Sequence, residues 1–320
     1  MRRFSLKPRG NEGYLAWVLL LTVIVFSLLS EQFLTVQNLL DLCESYAVSG
    51  IFALGLFVVL VTGGIDISFA AVASVVQYLI ATLATHYGLA SPMGSILLAL
   101  AIGAALGMVN ALLIYCLRIV SIIVTISMQA LLFGMLMWLT NGRSLYALPD
   151  WWTLPRSVLP FQLGEQSYQL GLPTLVMLAV ALLTWLLLNK TRLGMNVRAV
   201  TQNRAMAACC GVPTGRVDML AFGLGSGIAG LGGVALSQLG NVGPELGQGY
   251  IIDSFLVVVL GGVGQLAGTV AAAFGLGIVN KILEPQIGAV LGKILILVLI
   301  VLFIQKRPQG LFALKGRVID

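Results

Sequence analysis

Two carboxylates stand at breaks between long apolar runs, and their surroundings set the chemistry open to this chain. Asp66 lies in VTGGIDISFA, where Gly63 and Gly64 interrupt a helical run and Asp66 or Ser68 is placed to cap the helix that follows. Asp253 lies in GQGYIIDSFLVVVLGG and opens a short apolar run that stops at Gly261 and Gly262. An ionised group at membrane depth costs roughly 2.5–3.5 kcal/mol on insertion scales, so such groups tend to mark pathways. Two readings stand for Asp66: a cap beside a hinge, or a residue of a broken helix whose N-terminus faces a solute. Asp253, near a helix start, is stabilising on charge grounds alone. Catalytic patterns are missing: there is no HExxH, no GxSxG and no cluster of acids. Cys43, Cys116, Cys209 and Cys210 lack metal-ligand spacing, and His86 stands alone, so neither a metal nor a cofactor is expected.

The second feature is a basic connection, KTRLGMNVRAVTQNRAMAACCGVPTGR from Lys190 to Arg216, which carries five of the eighteen Lys and Arg. It holds a short helix signal: Asn203 as N-cap, RAMAACC, then Gly211 as a left-handed stop with Pro213 beyond. A capped, charged helix between two apolar spans suits docking to another protein. A plain connector that fixes topology is the alternative.

These residues must be positioned by membrane helices. Hydrophobic residues make up 59% of the 320 and charged residues only 9%, which excludes an ordinary soluble fold. The net charge of +6 does not imply nucleic acid, because the basic residues sit between apolar runs. The pattern predicts spans near 13–30, 47–62, 68–86, 93–117, 119–140, 171–189, 218–238, 250–263, 266–283 and 287–305. The first follows MRRFSLKPRG and resembles a signal peptide, yet no small-residue cleavage site follows it, so it is retained as a span. The second and eighth are short enough to be broken or re-entrant. With ten spans and both ends cytosolic, fourteen of the eighteen basic residues fall inside, leaving only Arg143, Arg156, Lys281 and Lys293 elsewhere. The outer loop 141–170 holds adjacent Trp151 and Trp152, expected as interface anchors.

Two nucleotide-like strings carry no nucleotide chemistry. GSGIAG at Gly225–Gly230 lies inside an apolar span, so its glycines are read as close helix packing. GAVLGKI at Gly288–Ile294 is one residue short of a phosphate loop and lacks Ser or Thr after Lys293. The pairs Gly103/Gly107, Gly223/Gly227, Gly264/Gly268 and Gly288/Gly292 fit small-xxx-small spacing. The halves also echo each other. FVVLVTGG at 57–64 resembles LVVVLGG at 256–262, and LGMVNALL at 106–113 resembles LGIVNKIL at 276–283, as an inverted repeat would.

The pattern Thr191-Arg192-x-Gly194-x-x-x-Arg198-Ala199, followed by Asn203, Ala207, Gly211 and Arg216-Val217, resembles the coupling region of ABC importer permeases. LGLFVVLVTGGIDIS is similar to the ribose-type sugar and autoinducer-2 group. GNVGPELGQGYIIDSFLVVVLGGVGQLAGT and the tail KRPQGLFALKGR look more like the branched-chain amino acid and urea permeases. The resemblance implies an all-α polytopic bundle of about ten helices, one permease domain over 1–320 with its cytosolic coupling loop at 190–217. It implies no enzyme activity in this chain. Its partners would be cytosolic ATP-binding subunits, an extracytoplasmic solute-binding protein and a second permease copy or paralogue. Residues Arg192, Gly194, Arg198, Asn203, Arg204, Gly211 and Arg216 are then expected at the ATPase docking surface, and Gly63, Gly64, Asp66 and Asp253 along the translocation pathway. A monosaccharide or related compound is the expected solute, with branched-chain amino acids or urea and short amides as the alternative. An ion-coupled carrier would call for more intramembrane carboxylates.

Overall fold

The computed structural model describes residues 35–88, 91–146, 148, 159–163, 166–238, 240–306 and 310. The expected span at 13–30, Trp151, Trp152 and the tail beyond 310 lie outside the described residues. In chain order come α1 (Val36–Val61), α2 (Phe69–Tyr87), α3 (Pro92–Leu117) and α4 (Ser121–Thr140). A hairpin of β1 (Leu159–Leu163) and β2 (Gln166–Leu170) precedes α5 (Leu172–Lys190), α6 (Arg192–Gln202), α7 (Arg204–Cys209) and α8 (Thr214–Ser237). A 3-10 turn at Leu246–Tyr250 leads into α9 (Ile251–Gly261), α10 (Leu266–Ile287) and α11 (Ala289–Lys306).

Among the described residues, α2, α3, α4, α5 and α8 are long and apolar enough to cross a bilayer. Helix ends fall within a few residues of those expected from hydropathy, with one correction. The second span is not a short or broken segment but a continuous helix of 26 residues. Its first turns carry Asn38, Asp41, Glu44 and Ser45, which lower the hydropathy without interrupting the helix. The eighth span is short, as expected: α9 has 11 residues behind its 3-10 turn. The outer loop 141–170 closes with the antiparallel hairpin, in register from Leu159 with Leu170 to Leu163 with Gln166.

Helix α8 is the axis of the bundle and is buried from Ala221 to Ser237 except at the half-buried Leu224. Helices in lipid gain little from hydrophobic burial against one another, so close backbone approach must hold them. Glycine provides it. A Cβ at Gly103 would stand 2.4 Å from Ser226 O, and one at Gly107 would stand 2.3 Å from Phe222 O, so α3 lies directly on the α8 backbone. Gly55 of α1 and Gly225 of α8 meet in the same way, a Cβ on either falling within 2.7 Å of the other's carbonyl oxygen. The GSGIAG string is thus packing surface. The pairs Gly264/Gly268 and Gly288/Gly292 do not make such a face. Gly264 and Gly288 have positive φ and lie outside the helices, where they let the chain turn into α10 and α11.

Both breaks converge on α2. The first, residues 62–68, separates α1 from α2. The second ends in the 3-10 turn, where the Gly247 amide donates to Ser74 Oγ at 3.2 Å, while Gln77 Nε2 donates to Gly243 O at 2.9 Å. Around them Phe52 stacks obliquely against Phe69 and Tyr250, with ring centroids 5.9 and 5.4 Å apart.

Candidate functional site

Irregular backbone at membrane depth survives only where its polar groups find partners inside the protein. The first break finds such partners at Ile65, Asp66 and Ser68. The Ile65 amide donates to Ser121 Oγ at 3.0 Å and Thr125 Oγ1 donates to Ile65 O at 3.1 Å, so two hydroxyls of α4 satisfy both backbone polar groups of one residue. Asp66, buried, accepts at Oδ1 from the Ser68 amide at 2.8 Å and from Ser68 Oγ at 2.6 Å. Its Oδ2 accepts from Ser226 Oγ of α8 at 3.1 Å. Asn110 of α3 completes the group by donating to Ser68 Oγ at 2.7 Å. Three elements are thereby pinned to one carboxylate at the head of α2.

Gly63 and Gly64 lie apart from that buried knot. They line a cavity of roughly 660 Å³ together with Tyr115, Arg118, Arg204 and Asp218. Gly63 takes φ +84, which favours glycine, and a Cβ at Gly64 would stand 2.8 Å from the Phe222 ring. Asp66 is not among the residues lining this cavity.

The basic connection folds as two capped helices. Thr191 caps α6 by accepting from the Gly194 amide. Gly194 permits a sharp return over the end of α5, since a Cβ there would meet Leu188 O at 2.0 Å. Gly194 therefore faces inward with Val197 and Val200, whereas Arg192, Met195 and Arg198 form an exposed row. Asn203 Oδ1 caps α7 through the Met206 amide at 3.0 Å. Gly211 closes that helix at φ +82, with Val212 donating to Ala207 O at 3.0 Å. Arg204 is ion-paired with Asp218 on α8, and Arg216 is exposed. Thr201, at the end of α6, donates to the carbonyl of Val61, the last residue of α1. The connection is thus bonded to the backbone where the first break begins.

Asp253 occupies a different place. In the first turn of α9, its Oδ2 pairs with Lys293 Nζ of α11 at 3.2 Å. The pair lines a cavity of roughly 420 Å³ with Tyr46, Asn280 and Glu284. The four expected pathway residues are therefore divided among one cavity, one buried network and a second cavity. Sequence reading did not single out Asn110, Ser226, Thr201, Tyr46, Asn280 or Lys293 as site residues. One signal was available: the echo LGMVNALL and LGIVNKIL places Asn110 and Asn280 at matching positions, and each lies beside an aspartate-bearing polar cluster.

A bundle of long apolar helices, two breaks satisfied from within and a capped helix pair on one face define a multi-pass membrane permease. The chain belongs to the family described as branched-chain amino acid transport system / permease component, which matches residues 38–304. It is 30% identical over 297 residues to the ribose import permease protein of Escherichia coli strain K12, covering 88% of each chain. To the ribose import permease protein of Bacillus subtilis strain 168 it is 29% identical over 272 residues, 82% of each. An autoinducer 2 import system permease protein of Enterobacter sp. strain 638 is 33% identical over 266 residues, 82% of this chain and 74% of that one. No solved structure matches. The chain is accordingly a permease subunit of the ABC importer type.

Proposed function

We propose that this chain forms half of the pore of an ATP-driven importer for a small, neutral, sugar-type solute. The observation that carries the reading is the direct bond from α6 to the first break, Thr201 to Val61, within a connection that also presents the exposed row Arg192, Met195 and Arg198. In this reading residues 1–320 are one permease domain, and 190–217 is its cytosolic coupling loop. ATP hydrolysis is on separate cytosolic subunits that dock at Arg192, Arg198, Asn203, Gly211 and Arg216. Gly194 and Arg204 shape the loop from behind, one against Leu188 and the other through Asp218. An extracytoplasmic binding protein delivers solute, and a second permease completes the pore. Both termini lie in the cytosol of a bacterial cell with the chain in its plasma membrane, which agrees with the distribution of basic residues. Movement of the docked ATPases would rock the helices between inward-open and outward-open states, with Gly63, Gly64 and Asp253 on the pathway and Asp66 fixing the break beside it. The ribose and autoinducer 2 relatives favour a sugar-type solute over the amino acid of the family's description. Ion coupling is the weaker reading, because Asp66 is held by hydroxyls and Asp253 by Lys293.

The docking reading has a direct test. Reversing charge at Arg192 and Arg198 together is expected to lower uptake by the assembled complex at least about tenfold, since like charges set against a partner cost several kcal/mol. Membrane insertion and the thermal midpoint in detergent should stay unchanged, because both side chains are exposed. Normal uptake in that variant would place the ATPases elsewhere.

A further inference from the structure

We propose that the cavity bounded by α1, α9, α10 and α11 is a contact site within the helix bundle for a neutral polyhydroxy solute, with the Asp253–Lys293 pair and Asn280 as its recognition groups. This rests on the importer reading and specifies where within the bundle the solute is read. Asn280 stands seven residues before the end of α10 and Tyr46 ten residues into α1, about 10 and 15 Å along their helices at 1.5 Å per residue. The cluster therefore stands about two to three helical turns in from those helix ends. A lysine and a carboxylate set among apolar helices are costly unless they pair or face water. Here they do both: the side chains are 51% and 24% exposed while paired. Both paired side chains also line the cavity, so they stay within reach of what enters it. Asn280 Oδ1 is buried and accepts no hydrogen bond among the described residues, which leaves an acceptor beside the pair.

The chemistry of the lining selects the ligand. Two carboxylates, Asp253 and Glu284, are matched by two ammonium groups, Lys281 and Lys293, so the site has no surplus charge for an anion or a cation. A sugar hydroxyl both donates and accepts. A vicinal pair of hydroxyls can therefore donate to Asp253 or Asn280 and accept from Lys293 without breaking the ion pair. A free amino acid would instead bring two full charges into a lining whose own charges already balance. The adjoining apolar wall, Leu256, Leu276 and Leu297, suits the carbon face of a sugar ring. A volume of roughly 420 Å³ is within the range of small-molecule sites.

Gly249 offers a probe position. It is exposed, lines the cavity, and a Cβ there meets nothing within 4 Å. In a chain whose four native cysteines are replaced by serine, Gly249→Cys is assembled with the ATPases, the second permease and the binding protein in vesicles. The expected result is labelling by a water-soluble maleimide that slows several-fold with a panel of aldopentoses and aldohexoses but not with leucine. Asp253→Asn with Lys293→Gln should remove that protection and reduce sugar uptake about tenfold, a loss of about 1.4 kcal/mol. Failure to label, protection by leucine alone, or normal uptake in the double variant would overturn the site. Absence of uptake of any sugar by the unaltered complex would instead overturn the importer reading, and the site with it.

Discussion

Gly107→Val is expected to prevent the bundle from assembling, with loss of monodisperse protein in detergent and a thermal midpoint too low to measure in what remains. The cause is geometric. The new Cβ would stand 2.3 Å from Phe222 O and 2.6 Å from Ser226 Oγ, and the first of these is backbone of the central helix. A side chain can rotate away, but α8 is held on its other faces by α1 and α2 through Gly55 and through Gly233, whose Cβ would stand 2.4 Å from Ala73 O. Overpacking costs typically 1–3 kcal/mol and more where relaxation is blocked, so about 3 kcal/mol is a lower expectation here. Ser226 is also a donor to Asp66, so the same substitution disturbs the polar knot at the break. Gly134→Ala is the matched control. Gly134 lies within α4 with open space around its Cβ, and the exchange should be neutral or stabilising by up to about 1 kcal/mol. Equal behaviour of the two variants would contradict the packing account.

Asp66→Ala is expected to destabilise the fold by about 3–5 kcal/mol, because it removes a buried acceptor shared by three donors. Three donors lose their acceptor at once: the Ser68 amide, Ser68 Oγ and Ser226 Oγ. Each buried unsatisfied group costs about 1–3 kcal/mol, and the sum is reduced by relaxation. Asp66→Asn should cost less, because its carbonyl oxygen keeps the two Ser68 bonds while the amide faces Ser226. Ordered thermal midpoints of wild type, Asn and Ala would bear this out. A wild-type midpoint for the Ala variant, with uptake abolished, would mean that Asp66 serves solute and not structure.

The helical architecture was legible because hydropathy windows report it directly, and nearly every span lies within a few residues of its expected limits. Where polar residues enter a helix end, that signal fails. Asp41 and Glu44 hid the first turns of α1, and the structure restores them. The helix caps of the basic connection were readable from local chemistry, since Asn203 and Gly211 act within a few residues of themselves. Long-range partners were not. Asp66 gave two equally weighted readings because Ser226 lies 160 residues away, and only the fold brings them together. Lys293 belonged to a failed phosphate-loop string in the sequence, yet it reaches Asp253 across 40 residues. Glycine spacing flagged Gly103/Gly107 and Gly223/Gly227, which the fold brings together between α3 and α8, but also Gly264 and Gly288, which are turn residues, because spacing alone does not say where a helix stops.

The central claim is that this chain does not move solute uphill by itself. The measurement is radiolabelled sugar accumulation in vesicles containing the chain alone, compared with vesicles that also hold its ATP-hydrolysing subunits, second permease and binding protein. The account predicts accumulation above the external concentration only in the complete assembly and only with ATP. Accumulation against a gradient by the chain alone would contradict it.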